Sequence, residues 1–102
     1  MRYETINEGA IEQARQSGHT ARLADELYNA ARIAFMTNKD YPMAVSFYHE
    51  ALRLYDQQHR WSIAAIICVI LGGLARHAGN TDDALLMARE RDRYDALAKG
   101  VS

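Results

Sequence analysis

The residues best suited to catalysis or metal binding are a single cysteine and four histidines. Cys68 lies among isoleucines, where we expect a buried, unreactive thiol, because a reactive thiol needs a partly exposed, electropositive setting. The histidines are His19, His49, His59 and His77, and none is four residues from another, the spacing that would place two ligands on one helix face. Phosphate-binding, dinucleotide-binding and hydrolase motifs are also absent. The sequence predicts no catalytic residue, no metal site and no cofactor.

The charged residues are nearly balanced in sign. Lys and Arg number 12 and Asp and Glu 13, a formal net charge of −1 at pH 7. A protein that binds nucleic acid by neutralising phosphates needs an excess of cations. The best basic cluster, Arg53, His59 and Arg60, is small, and the run from Arg89 to Asp95 alternates in sign, as a solvated helix face does. We expect no nucleic-acid partner.

The length of 102 residues is typical of one small domain. A single cysteine cannot form an internal disulfide, which favours the reducing cytoplasm. The longest uncharged run, Trp61 to Ala75, is shorter than the ~20 apolar residues that a membrane-spanning helix needs. The N-terminus is charged and lacks the apolar core of a signal peptide. We expect a cytoplasmic protein with no membrane partner.

Apolar residues recur at steps of three and four along the sequence, which predicts an all-α fold of five helices. Thr5 followed by Glu8 has the pattern of a capping box and predicts the start of the first helix. Asp40 is a good N-cap residue, and Pro42 suits the first turn of the helix that follows. The short turns between helices favour antiparallel neighbours.

One helical domain over residues 1–102 is predicted. Its parts are an N-terminal helix over 1–18, a first helix pair over 20–57 and a second helix pair over 60–98. The first helix of the first pair is expected to run without a break from Thr20 to Thr37. Gly79 is expected to end the first helix of the second pair, and Asn80 to cap the helix that follows.

The two helix pairs share a pattern of small and large residues. In the first pair it comprises Tyr28, Ala31, Phe35, Ala44, Tyr48 and Ala51. The second pair has a leucine–glycine pair at Leu71 and Gly72, a turn glycine at Gly79 and a small residue at Ala84. With these positions, and with the string DYPMAVSFYHEALRL (Asp40–Leu54), the chain resembles the tetratricopeptide repeat (TPR) family. The small residues would let helix backbones approach closely, and the rings would fill the space beside them.

The resemblance is to a divergent pair of repeats. Arg32 stands where the family has a small residue, and Lys39 where it has a glycine. Ala44 and Ala84 correspond, so the repeat is longer than the usual ~34 residues. Two repeats fall short of the three that stabilise a free-standing array. A capping N-terminal helix or a homodimer is expected to supply the missing burial.

In the family, the first helix of each pair lines a concave groove. The resemblance implies that this groove is lined by Glu26, Asn29, Ile33, Met36 and Thr37 of the first pair and by Ile66, Val69, Gly73, Arg76 and His77 of the second. The floor would be apolar and the rim polar, which suits the apolar side of a peptide or helix. The N-terminal helix of the chain itself is an alternative occupant.

The helix predicted from about Arg60 to His77 has two apolar faces and no polar face over its middle turns. Either its neighbours cover both faces, or one face meets a partner protein or a second copy of the chain. We interpret the chain as a protein–protein interaction module, an adaptor, small chaperone or regulator, and not as an enzyme. The alternative is a small all-α ligand-binding or enzymatic bundle that uses Arg32, Arg76 and His77. That alternative requires Arg32 to be buried opposite a carboxylate.

Overall fold

The computed structural model describes residues 5–100 of the chain. Every regular element in this part is helical and none is a strand, so the predicted all-α fold is confirmed. The elements are α1 (Glu8–Ser17), α2 (Thr20–Arg32), a π-helix (Ile33–Thr37), α3 (Tyr41–Gln57), α4 (Trp61–His77) and α5 (Thr81–Ala98). The chain consists of two compact units, unit 1 (Met1–Leu54) and unit 2 (Tyr55–Ser102).

Helix α1 begins later than the sequence predicts. The capping box at Thr5 is wrong, because α1 starts at Glu8 and its N-cap residue is Asn7. The Asn7 side-chain oxygen accepts a hydrogen bond of 3.0 Å from the backbone N–H of Ala10. Asparagine is among the strongest N-cap residues, and here it leaves Glu8 in the first turn, where the helix dipole favours an acid. Residues 1–4 of the predicted N-terminal helix lie outside the described part.

The starts of α3 and α5 agree with the sequence. The Asp40 carboxylate accepts a hydrogen bond of 3.2 Å from Met43 N–H, and the Asn80 side chain accepts one of 3.3 Å from Asp83 N–H. Gly79 follows α4 in the left-handed conformation, at φ 79°. Glycine adopts this conformation at little cost, so the chain can turn here within a few residues.

The helix predicted to run unbroken to Thr37 changes form in its last turn. Helix α2 ends at Arg32, and a π-helix follows, in which Asn38 N–H donates to the Ile33 carbonyl at 3.0 Å. Lys39 then takes the left-handed conformation at φ 57°. Such a conformation costs a residue other than glycine about 1–2 kcal/mol. The turn is therefore made at Lys39 without the glycine that the TPR resemblance led us to expect.

The core of unit 1 sets large rings beside small residues. Helix α1 packs on α2. Tyr28 and Tyr48 meet edge to face with their ring centroids 6.0 Å apart, and Ala44 is fully buried. An ion pair of 2.6 Å between Arg15 and Glu50 joins α1 to α3. Edge-to-face contact adds to the stabilisation that burial of the two rings supplies.

In unit 2, α4 and α5 pack against each other along their lengths. Gly72 lies where the two helices contact, because a Cβ atom built there would be in van der Waals contact with the Cβ of Met87 at 3.5 Å and with the carbonyl oxygen of Ala84 at 3.9 Å. Near the start of α4, the Trp61 ring stacks on Tyr94 of α5 with centroids 5.8 Å apart. The pair thus forms a helical hairpin with a small-residue contact near the turn and an aromatic contact far from it.

Candidate functional site

Most of the apolar surface of α4 is buried or half-buried, but a strip of apolar residues on one side of the helix is exposed. The buried face includes Ile67, Cys68 and Leu71. On the opposite side, the side chains of Ile66 and Val69 are 51% and 56% exposed. Residues at spacings of three and four lie on one face of a helix, so Ile66, Val69 and the exposed Gly73 form a continuous strip. An uncovered strip of this kind is typical of a contact surface.

The strip borders a groove between α4 and α5 of about 290 Å³. We call it the hairpin groove, and it is lined by Cys68, Val69, Gly72, Gly73 and Arg76 of α4 and by Ala84, Met87, Ala88 and Arg91 of α5. Most of these side chains are small, and the larger ones are Met87 and the two arginines. A Cβ atom built at Gly73 would meet nothing within 4 Å, so the groove is open at that point.

The charged residues that line the hairpin groove are both arginines. Arg91 contacts Asp92 at 3.0 Å and Asp95 at 3.9 Å, so carboxylates of its own helix balance its charge. The guanidinium of Arg76 is exposed and forms no ion pair with any residue from 5 to 100. Arg76 is therefore available to an external carboxylate, and an arginine can hold one with two parallel hydrogen bonds.

A second hollow, of about 230 Å³, lies in unit 1 beside the π-helix. It is lined by Asn29, Arg32, Ile33, Met36 and Thr37. Met36 is 60% exposed, although α1 packs on α2 in the same unit. The N-terminal helix therefore does not cover this part of the predicted groove.

The structure groups most of the predicted groove residues within their own units. Asn29, Ile33, Met36 and Thr37 share the hollow beside the π-helix, and Glu26 is half-buried and does not line it. In unit 2, Val69, Gly73 and Arg76 line the hairpin groove; Ile66 and His77 are exposed but lie outside its lining. The arrangement in which both helix pairs together form one groove stays a prediction.

The sequence did not indicate the residues that α5 contributes to the hairpin groove. The resemblance assigns the groove to the first helix of each pair. Ala84, Ala88 and Arg91 also line it, and they belong to α5, the second helix of the second pair. Ala84 and Ala88 are four residues apart, and this small-residue spacing was the available signal. Arg32, which the sequence analysis named only for the ligand-binding or enzymatic alternative, also lines the hollow beside the π-helix.

An aromatic stack at the start of α4 was also missed. The ring centroids of His59 and Trp61 are 4.9 Å apart, Trp61 also stacks on Tyr94, and the guanidinium of Arg93 lies 4.5 Å above the Tyr94 ring. A hollow of about 420 Å³ beside the stack includes His59 and Trp61 in its lining. Because the indole contacts two other rings, we interpret the stack as a contact that stabilises the hairpin.

The thiol of Cys68 is 1% exposed, and burial raises its pKa from 9.0 to about 11. Both effects suppress the reactive thiolate at neutral pH. We expect iodoacetamide at pH 8 to alkylate the folded chain at least about tenfold more slowly than the chain unfolded in urea, because the folded thiol must first become exposed. Mass spectrometry of timed samples measures the two rates. Equal rates would show that the thiol is accessible in the fold.

Two kinds of site have no candidate in the described part of the chain. From residue 5 to residue 100, no cluster of histidine, cysteine and carboxylate side chains could hold a metal ion. Over the same range, no helix has the length and apolar character needed to cross a bilayer. In comparisons with known proteins, no family model, curated protein or solved structure matches the chain.

Proposed function

We propose that this chain is a protein–protein interaction module, and that its α4–α5 hairpin binds a peptide or helical segment of another protein. One observation carries the proposal: Ile66 and Val69 are half exposed beside the hairpin groove. Burying a Val or Ile side chain completely contributes about 1.5–3 kcal/mol relative to leaving it in water. Covering this strip would therefore supply a useful part of a binding free energy.

The proposal includes a divergent TPR-like arrangement and a role as an adaptor, small chaperone or regulator in the cytoplasm. The order of contacts in unit 2 supports a repeat-like hairpin. Gly72, late in α4, lies against Ala84, early in α5, and Trp61 at the start of α4 lies against Tyr94. Contacts in this reversed order are those of an antiparallel pair. The homodimer expected from the sequence stays a prediction, and light scattering tests it.

The geometry favours binding over the alternative of a ligand-binding or enzymatic bundle. That alternative uses Arg32, Arg76 and His77 and needs Arg32 to be buried opposite a carboxylate. Instead, Arg32 is exposed and forms no ion pair within residues 5–100. A functional group exposed in this way lacks the desolvated setting that perturbs the pKa of catalytic groups.

The test selects binders from a displayed library of peptides about 20 residues long and measures them against variants. Val69→Asp should weaken selected peptides at least about tenfold, because a carboxylate placed on the apolar strip must lose its water when the peptide binds. Leu86→Asp is the matched control: Leu86 is 49% exposed on α5 and does not line the hairpin groove. We expect it to change affinity less than about twofold.

Circular dichroism establishes that both variants are folded before affinities are compared. Selected peptides that bind Val69→Asp as tightly as the original chain would contradict the proposed surface. Failure of the selection to yield any binder would contradict the proposed function itself.

A further inference from the structure

We infer that the segment bound in the hairpin groove is an acidic amphipathic α-helix, one of whose carboxylates pairs with Arg76. The inference rests on the proposed function and specifies the partner that would fulfil it. Two independent features carry it, the shape of the groove and the sign of the charge at its edge.

The shape of the groove suits a helix. Gly72 and Gly73 of α4 and Ala84 and Ala88 of α5 all line the groove, so much of its floor is built from the smallest side chains. A floor of this kind lets a third helix approach closely and insert its side chains between the two helices of the hairpin. Helix α4 contains 17 residues and is therefore about 25 Å long. The groove lining takes in the second half of α4, from Cys68 to Arg76, so a helical segment of about two to three turns spans the groove.

The apolar strip defines which side of that helix faces the hairpin. Ile66, Val69 and Gly73 recur at steps of three and four, so they present a ridge and a gap parallel to the axis of α4. A partner helix with leucine and alanine at the same spacing would bury its apolar side against them. The partner is therefore amphipathic, with an apolar side for the strip and polar residues at its edges.

Charge at the edge of the groove determines the sign of those polar residues. No carboxylate belongs to the groove lining, and the guanidinium of Arg76 is unpaired within residues 5–100. The nearby acids Asp82 and Asp83 begin α5 and do not line the groove; the Asp83 carboxylate accepts a hydrogen bond of 2.7 Å from Asn80. A partner with glutamate or aspartate at its edge would complement Arg76, and one with lysine there would be repelled.

A second copy of the chain fits this surface less well. In a two-fold dimer the same patch meets itself, so arginine-bearing edges would be brought together. Each copy would present the unpaired Arg76 and no lining carboxylate. The charge pattern therefore favours a different protein as the occupant.

The test compares two labelled helical peptides of about 18 residues, long enough to form a helix. They share one leucine and alanine face and differ only at the edges, which carry glutamate in one and lysine in the other. Fluorescence anisotropy at low and high salt measures both affinities. We expect the glutamate peptide to bind at least about tenfold more tightly at low salt, and the difference to shrink at high salt because salt screens the pairing.

Variants identify the arginine responsible. Arg76→Gln should remove most of the preference, and Arg76→Glu should reverse it in favour of the lysine peptide. Arg89→Glu is the control, because Arg89 is an exposed α5 arginine that does not line the groove. It should leave the preference unchanged within about twofold.

The outcomes separate the two proposals. Equal binding of both peptides, with loss of both in Val69→Asp, would overturn the acidic partner and leave the proposed function standing. If neither peptide binds, the inference is overturned. Whether the proposed function stands is then decided separately, by whether the library selection yields binders. A dimer in light scattering that Val69→Asp abolishes would assign the groove to a second copy and also overturn the inference. A preference that persists in Arg76→Glu would overturn the role of Arg76.

Discussion

Replacing Tyr94 with alanine is expected to lower the free energy of unfolding of unit 2 by about 3–5 kcal/mol. Tyr94 is 4% exposed and stacks on Trp61 at 5.8 Å. The guanidinium of Arg93 lies over its ring, and Arg93 also reaches Glu90 at 2.8 Å and Asp56 at 3.8 Å. Loss of the ring would leave a cavity between α4 and α5 and remove the surface that orients Arg93.

Urea denaturation followed by circular dichroism and by fluorescence measures this loss. Trp61 is the only tryptophan of the chain and lies in unit 2, so its emission reports on that unit. Tyr94→Phe is the matched control, because it keeps the ring and removes only the hydroxyl group; we expect it to cost less than about 1.5 kcal/mol. An alanine variant as stable as the phenylalanine variant would show that the stack does not stabilise the hairpin.

The fold could be predicted from the sequence wherever a local signal decides the backbone. Asp40 caps α3 through a hydrogen bond to a residue three positions away, and Gly79 satisfies the left-handed turn after α4 by itself. At α1 two local signals competed, and Asn7 is the N-cap where Thr5 was expected. The π-helix was not predictable, because its hydrogen bonds depend on how α2 is joined to α3 through Lys39 rather than on the types of residue within it.

The candidate site could be predicted only along one helix. Ile66 and Val69 were assigned to the site by the groove positions that the TPR resemblance implied, because periodicity does not tell which side of an apolar helix is exposed. Ala88 and Arg91 enter the groove because α5 packs at a particular rotation, which depends on contacts such as Gly72 against Met87. Long-range contacts of this kind leave no periodic trace in one sequence.

The second large effect is expected at alkaline pH, where buried weak acids favour the unfolded chain. Burial raises the pKa of Tyr48 and that of Tyr94 from 10.0 to about 12, and the pKa of Cys68 from 9.0 to about 11. Each of these side chains therefore keeps its proton to a higher pH in the folded state than in the unfolded state. Their contribution to stability is therefore complete below pH 9 and is lost as the pH rises toward 12.

We expect the free energy of unfolding to fall by about 5 kcal/mol between pH 8 and pH 11, since each fully engaged group contributes ~1.4 kcal/mol per pH unit. Urea titrations at several pH values measure the decline. Cys68→Ala should remove the earliest part of it, because Cys68 has the lowest of the three unfolded-state pKa values, and Tyr48→Phe should flatten the later part. The control is Tyr41→Phe, at a tyrosine that is 38% exposed. This variant should show the same dependence of the free energy of unfolding on pH as the original chain. A free energy of unfolding that does not change between pH 8 and pH 11 would contradict the prediction. It would mean that the three groups ionise as readily in the folded chain as in the unfolded one.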